Sequence, residues 1–216
     1  MHAHAEPDSA EPDLTPAEHG EARYAEGARV WSGRPNASLA AVAEDWAPGR
    51  AVDLGCGEGA DAIWLASRGW RVTAVDISPT AVSRGRAHAA TAGVAPDRID
   101  WVAADLESWQ FPADVDLVSA CFFQSSVALD RVAILRRAAA ALAPGGHLLV
   151  VAHATAPPWA KHGHHLELTP EQESAALALD PALVDLVTCE TRPREAVSPS
   201  GETATIDDSV LVYRRR

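Results

Sequence analysis

AVDLGCGEG, residues Ala51 to Gly59, decides how the rest of the chain is read. Ala51 to Leu54 is an apolar run of the length of a buried strand. Gly55, Gly57 and Gly59 follow as a turn that lets backbone approach a ligand closely before a helix begins. Asp53 stands two residues before the first glycine, where its carboxylate can accept hydrogen bonds from the turn's amides or face a ligand ammonium group. After a predicted helix, Asp61 to Ser67, and a turn at Gly69, the run Trp70 to Val75 reads as a second strand closed by Asp76. An acid about 20 residues past the first glycine, at the tip of the neighbouring strand, is placed to hydrogen-bond both hydroxyls of a ribose. Strand, glycine turn, helix, strand and acid occur in the order a nucleotide cradle needs.

In combination these residues resemble the class I S-adenosylmethionine-dependent methyltransferases. The resemblance rests on DLGCGEG at Asp53 to Gly59, VTAVDIS at Val72 to Ser78, AADLES at Ala103 to Ser108 and LAPGGHLLVV at Leu142 to Val151, in the family's order over roughly residues 50–153. It implies S-adenosylmethionine as cofactor, with Asp53, Gly55, Cys56, Gly57 and Gly59 forming the first motif. It implies Asp76 with Ile77 at the ribose, and Asp105 on the adenine amino group with Leu106 packing on the ring. The short core, an N-terminal cap and the strand end GGHLLVVAH are similar to small-molecule methyltransferases of the thiopurine or tellurite-resistance type. In such enzymes an N-terminal segment folds over the methionine end, which implies Trp31 against the sulfonium, an aromatic face beside a cation. The alternative is that Tyr24 and Trp31 only anchor that segment to the core.

A chain of 216 residues fits one domain. The expected organisation is a disordered acidic arm over residues 1–20 and a single methyltransferase domain over 21–216, with a cap at 21–48 and a His-rich insert at 154–170. The arm is rich in Pro, Glu, Asp and Ala, with little apolar surface to offset its ordering entropy, and its His2 and His4 read as solvated. A net charge of −12, with no basic stripe interleaved with aromatics, argues against nucleic acid as a partner, and Arg214 to Arg216 is too short to reverse that. Cys56, Cys121 and Cys189 are odd in number and outside CxxC spacing, which fits a reducing, cytoplasmic setting. No apolar run approaches the ~20 residues of a membrane span, and the acidic N-terminus is unlike a signal peptide. Monomer and homodimer both stay open.

Further along, Ser38 to Trp46 has apolar residues at helical spacing, and Ser78-Pro79 starts a helix as N-cap and first-turn proline. Arg98 to Ala103 reads as a third strand and Val115 to Cys121 as a central parallel one. Ligands of open α/β sheets lie outside the strands' carboxyl ends, so Cys121 to Ser125 are expected to line the methionine arm or the acceptor pocket. Phe122 and Phe123 read as walls, and Cys121 as wall rather than nucleophile. Leu129 to Leu142 reads as a helix and His147 to His153 as the fifth strand. The alternation predicts a Rossmann-like, doubly wound α/β fold with helices on both faces. Thr169-Pro170 starts a last helix, and Val184 to Arg192 with Thr203 to Tyr213 reads as an antiparallel hairpin. The resemblance implies a seven-stranded sheet whose last strand inserts antiparallel.

The insert after Ala154 holds His162, His164 and His165, with His153 just before it. Imidazoles cluster at metal sites, yet no carboxylate or cysteine completes a standard ligand spacing, so no metal is assigned. His153, on a strand tip facing the cofactor, is the candidate general base. The implied chemistry is in-line attack by a small-molecule acceptor, a thiol, metalloid oxyanion or other small nucleophile, on the sulfonium methyl. Two other readings compete. An NAD-dependent oxidoreductase would share the glycine turn and Asp76, although no Tyr-x-x-x-Lys pair is present. A non-catalytic cofactor- or metal-binding sensor would keep the aspartates and use the histidines.

Overall fold

A computed structural model describes residues 14–25, 33–124, 129–156, 158–159, 168–198 and 200–216. Its elements run α1 (Pro16–Ala25), α2 (Ala37–Ala43), β1 (Arg50–Leu54), α3 (Ala60–Ser67), β2 (Arg71–Asp76), α4 (Pro79–Thr91) and β3 (Ile99–Ala103). There follow β4 (Val115–Cys121), α5 (Arg131–Ala141), β5 (Leu142–His153), α6 (Pro170–Leu177), β6 (Val184–Val197) and β7 (Thr203–Arg215).

The strands form one sheet in the order β3-β2-β1-β4-β5-β7-β6. The first five are parallel, and β7 enters antiparallel between β5 and β6. Because strand side chains alternate, the sheet carries two cores. Val52, Val118, Ala120, Leu148, Val150 and Leu211 point to a face covered by Ile134, Leu135 and Ala138 of α5 and Leu177 of α6. Ala51, Leu117, Leu149, Val151, Val210 and Val212 point to the other, covered by Leu39 of α2, Ala62 and Leu65 of α3 and Ala89 of α4. Runs such as Leu148 to Val151 are continuous rather than alternating because both faces are buried. The strand order reverses between β1 and β4, which places the ligand crevice at their carboxyl ends.

The helix starts follow local chemistry. Ser78 accepts from the Ala81 N–H at 3.1 Å, with Pro79 in the first turn. Thr169 and Gln172 form a reciprocal capping box. One expectation is corrected: residues 16–20 are not part of a disordered arm but the first half of α1. Thr15 and Glu18 hold each other reciprocally at its start, Thr15 N–H to Glu18 at 2.9 Å and Glu18 N–H to the Thr15 hydroxyl at 3.3 Å. Further on, α1 anchors itself through buried Tyr24. Met1 to Asp13, including His2 and His4, lies outside the described residues. The hairpin strands also run further than expected, β6 to Val197 and β7 to Arg215, because the two pair along their length apart from one register shift near Leu186.

Candidate functional site

The crevice begins with a carboxylate that is short of partners. Asp53, next to last in β1, is 2% exposed; its Oδ1 accepts from the Ser119 hydroxyl of β4 at 2.8 Å. Its Oδ2 is buried with no hydrogen-bond partner among the described residues. Asp76, closing β2, accepts from the Gly57 N–H at 2.8 Å and the Ser78 N–H at 2.9 Å, so it ties the glycine turn to the start of α4. A third acid, Asp61 in the first turn of α3, accepts from the Asn36 N–H at 2.6 Å and from the Cys121 thiol. Sequence reading missed its role; its only signal was an acid placed directly after the glycine turn.

The neighbouring acids raise the cost of ionising Asp53. Burial first, then the charge of Asp61 and to a smaller extent that of Asp76, push the Asp53 carboxyl well above the usual carboxylate range, against the Ser119 hydroxyl and, more weakly, the Ala62 amide. Burial also raises Asp61 and Asp76, the latter opposed by the Ser78 and Gly57 amides and by the charge of Arg23. Burial pushes the Cys56 and Cys121 thiols far up, so both stay protonated and Cys121 serves as wall and hydrogen-bond donor. The last glycine of the motif has a packing reason of its own. Gly59 caps α3 at φ +82°, and a Cβ there would run into the Trp101 ring, which Gly85 of α4 also faces.

The segment α1 lies over the next residues of the rim. Glu21 accepts from the Ser78 hydroxyl at 2.6 Å and from the Thr80 hydroxyl, and Gly20 packs directly on Ile77. Trp31, the proposed sulfonium neighbour, lies outside the described residues. Asp105 follows β3 at its exposed carboxyl end, where its Oδ1 accepts from the Glu107 N–H at 2.9 Å. The Ala104 N–H bonds the Asp76 carbonyl at 2.9 Å, so the two acids sit on adjoining strand tips. Leu106 is buried in the core beside Val75 and Phe123.

Across the crevice a second group assembles on the tips of β4, β5, β6 and β7. Phe122 takes φ +52°, a costly conformation for an aromatic residue and one that clusters at functional sites. Its ring stacks on His153 at 4.3 Å with the planes 21° apart. His153 Nδ1 lies 3.4 Å from Oδ1 of Asp208 and 3.3 Å from an amino nitrogen of Arg194, while Arg194 Nε bonds Asp208 Oδ2 at 2.6 Å. Asp208 and Arg194 were not foreseen, since nothing local in the sequence ties them to His153. Below this group, buried Glu173 of α6 bonds Arg131 at 2.5 Å and accepts from the Ser209 hydroxyl at 2.9 Å, and Arg131 Nε donates to the Phe123 carbonyl at 2.8 Å.

Among the described residues no group of three His, Cys, Asp or Glu side chains is arranged to hold a metal; His162, His164 and His165 lie outside them, as does Ser125. A shallow cleft of about 280 Å³ lined by Arg50, Arg71 and Arg98 opens at the opposite, amino edge of the sheet, remote from every acid of the crevice.

Residues 51–146 match a family described as a methyltransferase domain. The ubiquinone biosynthesis O-methyltransferase of Xanthomonas euvesicatoria pv. vesicatoria is 36% identical over 101 residues, 47% of this chain and 41% of that protein. The ribosomal RNA small subunit methyltransferase C of Chromohalobacter salexigens is 35% identical over 118 residues, 50% of this chain and 32% of that protein. The matched stretch thus spans less than half the length of either relative. Among solved structures, one from work on the conversion of a disulfide bond into a thioacetal group during echinomycin biosynthesis superimposes with a TM-score of 0.70. It is 20% identical, covering 91% of this chain and 87% of that one. The methyltransferase-domain match over residues 51–146, the motif order and a sheet of this topology together support membership of the class I S-adenosylmethionine-dependent methyltransferase superfamily.

Proposed function

We propose that this protein transfers a methyl group from S-adenosylmethionine to a small-molecule nucleophile. The observation that carries the reading is the unpartnered, buried Oδ2 of Asp53 beside the glycine turn, where the charges of Asp61 and Asp76 repel its own. A ligand that brings positive charge relieves that repulsion, and S-adenosylmethionine brings an ammonium and a sulfonium. In this reading Asp53 and Asp61 face the methionine end with Gly55, Cys56, Gly57 and Cys121. Asp76 and Ile77 hold the ribose under the cover of α1, and Asp105 with Leu106 bounds the adenine.

When bound, the cofactor supplies a methyl group already activated by positive sulfur. The chain's task is then to align the acceptor, exclude water and, for a protonated acceptor, take its proton. His153, held flat against Phe122, is the group that takes it. A small acceptor is favoured because the net charge of −12 supplies no field for a polyanion, whereas the ribosomal RNA relative keeps nucleic acid as the outcome to test against. Calorimetric titration with S-adenosylmethionine, S-adenosylhomocysteine and NAD tests the reading. Binding of the first two and not of NAD is expected, and NAD binding with no response to S-adenosylmethionine overturns it. Thiol, phenol, amine, metalloid and RNA acceptors offered with labelled cofactor then identify the acceptor class.

A further inference from the structure

We propose that the cleft at the amino edge of the sheet is an anion site for a small diphosphate-bearing molecule, held by Arg50, Arg71 and Arg98. It lies apart from the crevice and does not depend on the methyl-transfer reading. Sheet register builds it. Arg50 pairs with Arg71 across β1 and β2. Val72 pairs with Ile99 across β2 and β3, and its N–H bonds the Arg98 carbonyl at 2.9 Å, so Arg98 stands level with Arg71. Three cations thus occupy one level of three neighbouring strands, and all three line a cleft of about 280 Å³. Neighbouring strands lie about 4.8 Å apart, so the row covers about 10 Å of sheet, a width across which long side chains can converge on one ligand. Like charges side by side on a sheet destabilise it, and a shared anion removes that cost.

The chain holds 30 Asp and Glu against 18 Lys and Arg, yet among the described residues none of these three guanidiniums forms an ion pair. Asp116 of β4 accepts with Oδ2 from the Arg50 backbone N–H at 2.7 Å instead. Asp97 and Asp100 line the cleft without pairing. Arg50 and Arg98 each donate one hydrogen bond from Nη1, to the carbonyls of Ala113 and Gly69, both at 3.1 Å. Those bonds steady the two heads and leave their other donors to a ligand. Arg71 makes no side-chain hydrogen bond or ion pair among the described residues, so no contact within the fold accounts for it. A guanidinium is always charged and presents a planar fork of donors that fits an oxyanion. A carboxylate offers its acceptors along one edge and engages one fork, whereas a diphosphate offers them on every side and carries charge enough for several cations. The two aspartates of the wall and the net charge of −12 act against a long polyanion, whose next phosphates would lie against them. The ligand class is therefore a small phosphate compound and not RNA.

Calorimetric titration of the full chain with inorganic pyrophosphate at low ionic strength tests this. Binding is expected, and Arg71→Gln is expected to weaken it by about tenfold or more, through loss of a charged, forked contact. Arg98→Gln is expected to weaken it as well, while Arg192→Gln, which removes a positive charge from the edge strand β6, leaves it unchanged. Arg71 is exposed and its loss relieves a like-charge row, so Arg71→Gln is expected to melt no lower than the wild type without ligand. Absence of pyrophosphate binding, or binding that Arg71→Gln leaves intact, overturns the proposal. Equal weakening in Arg71→Gln and Arg192→Gln overturns it too, because it marks a diffuse field and not a site. Single-stranded RNA that binds more tightly than pyrophosphate and displaces it overturns the choice of a small ligand. S-adenosylhomocysteine titrated beside these is expected to bind wild type and Arg71→Gln alike without displacing pyrophosphate; displacement puts the anion in the crevice and overturns the site. Failure of S-adenosylhomocysteine to bind at all defeats the methyl-transfer reading and leaves the pyrophosphate result standing.

Discussion

The two sides of the crevice are built in opposite ways. On the β1–β2 side the ties that shape the glycine turn are short-range: Asp76 takes the amides of Gly57 and Ser78, 19 and 2 residues away, within one strand–helix–strand unit, and the longer contacts there, Asp53 to Ser119 and Glu21 to Ser78, join that unit to β4 and α1. On the β5–β7 side they are long-range: His153 to Asp208 spans 55 residues, Arg131 to Glu173 spans 42, and Glu173 to Ser209 spans 36. The first side is a supersecondary unit whose geometry is carried by its own turn. The second exists only after β7 has inserted between β5 and β6, and a register slip of one residue would send Asp208 to the other face. One side is therefore suited to holding a constant ligand, and the other to changing with the acceptor.

That contrast breaks first at Glu173. Its carboxylate is buried against Arg131 and Ser209, and Arg131 in turn holds the Phe123 carbonyl beside the glycine turn. Glu173→Ala leaves a largely buried cation and a buried hydroxyl without their partner, at a cost of about 3 kcal/mol in chemical denaturation. Amide exchange is expected to quicken most around α6, β7 and the end of β4, with the Gly57 amide less affected. A loss below about 1 kcal/mol would mean the long-range side is held by its apolar core and not by this network.

A smaller effect is expected at Asp76. Asp76→Ala should weaken S-adenosylmethionine binding by about 1.5 to 3 kcal/mol, the usual worth of hydrogen bonds to a charged group. That is roughly 10- to 150-fold in Kd. Calorimetry on the folded variant reads it directly, and unchanged affinity would place the nucleoside elsewhere on the rim.

What was legible in the sequence follows the same division. The parallel order, the Ser78 cap and the hairpin were readable because periodicity and turn chemistry act over a few residues, whereas the inserted last strand came only from the family resemblance. The placing of Asp53 and Asp76 at the ends of neighbouring strands was readable because their spacing from the glycines is a property of one unit. Asp208 was hidden inside a strand, where an acid reads as an exposed position until β5 and β6 are placed on either side of it. Asp61 was hidden for a different reason: an acid in the first turn of a helix is accounted for by the helix alone, and only the Cys121 thiol and the Asn36 amide show it turned into the crevice. The error at α1 came from composition. An acidic, alanine-rich stretch has little to bury, yet Glu21 finds the hydroxyls at the start of α4 and Tyr24 finds the core.

The subtlest difference between the two sides should emerge as a trade between stability and binding at Asp53. Its carboxyl is raised well above the ordinary range, so the folded protein holds that proton more tightly than the unfolded chain does. The stability this contributes is fully present below the unfolded-state pKa of about 3.9 and is lost as pH rises through the higher folded-state value. Above that value the wild-type protein carries a desolvated charge with one unpartnered oxygen, whereas an amide at the same place carries none. Asp53→Asn is therefore expected to be more stable than the wild type at neutral pH by about 1 kcal/mol, with the advantage shrinking toward acid pH, and to bind S-adenosylmethionine more weakly. Thermal melts across pH, with and without cofactor, measure both quantities. If Asp53→Asn instead proves less stable than the wild type at pH 7, the acid is already compensated within the protein and is not held in wait for a cation.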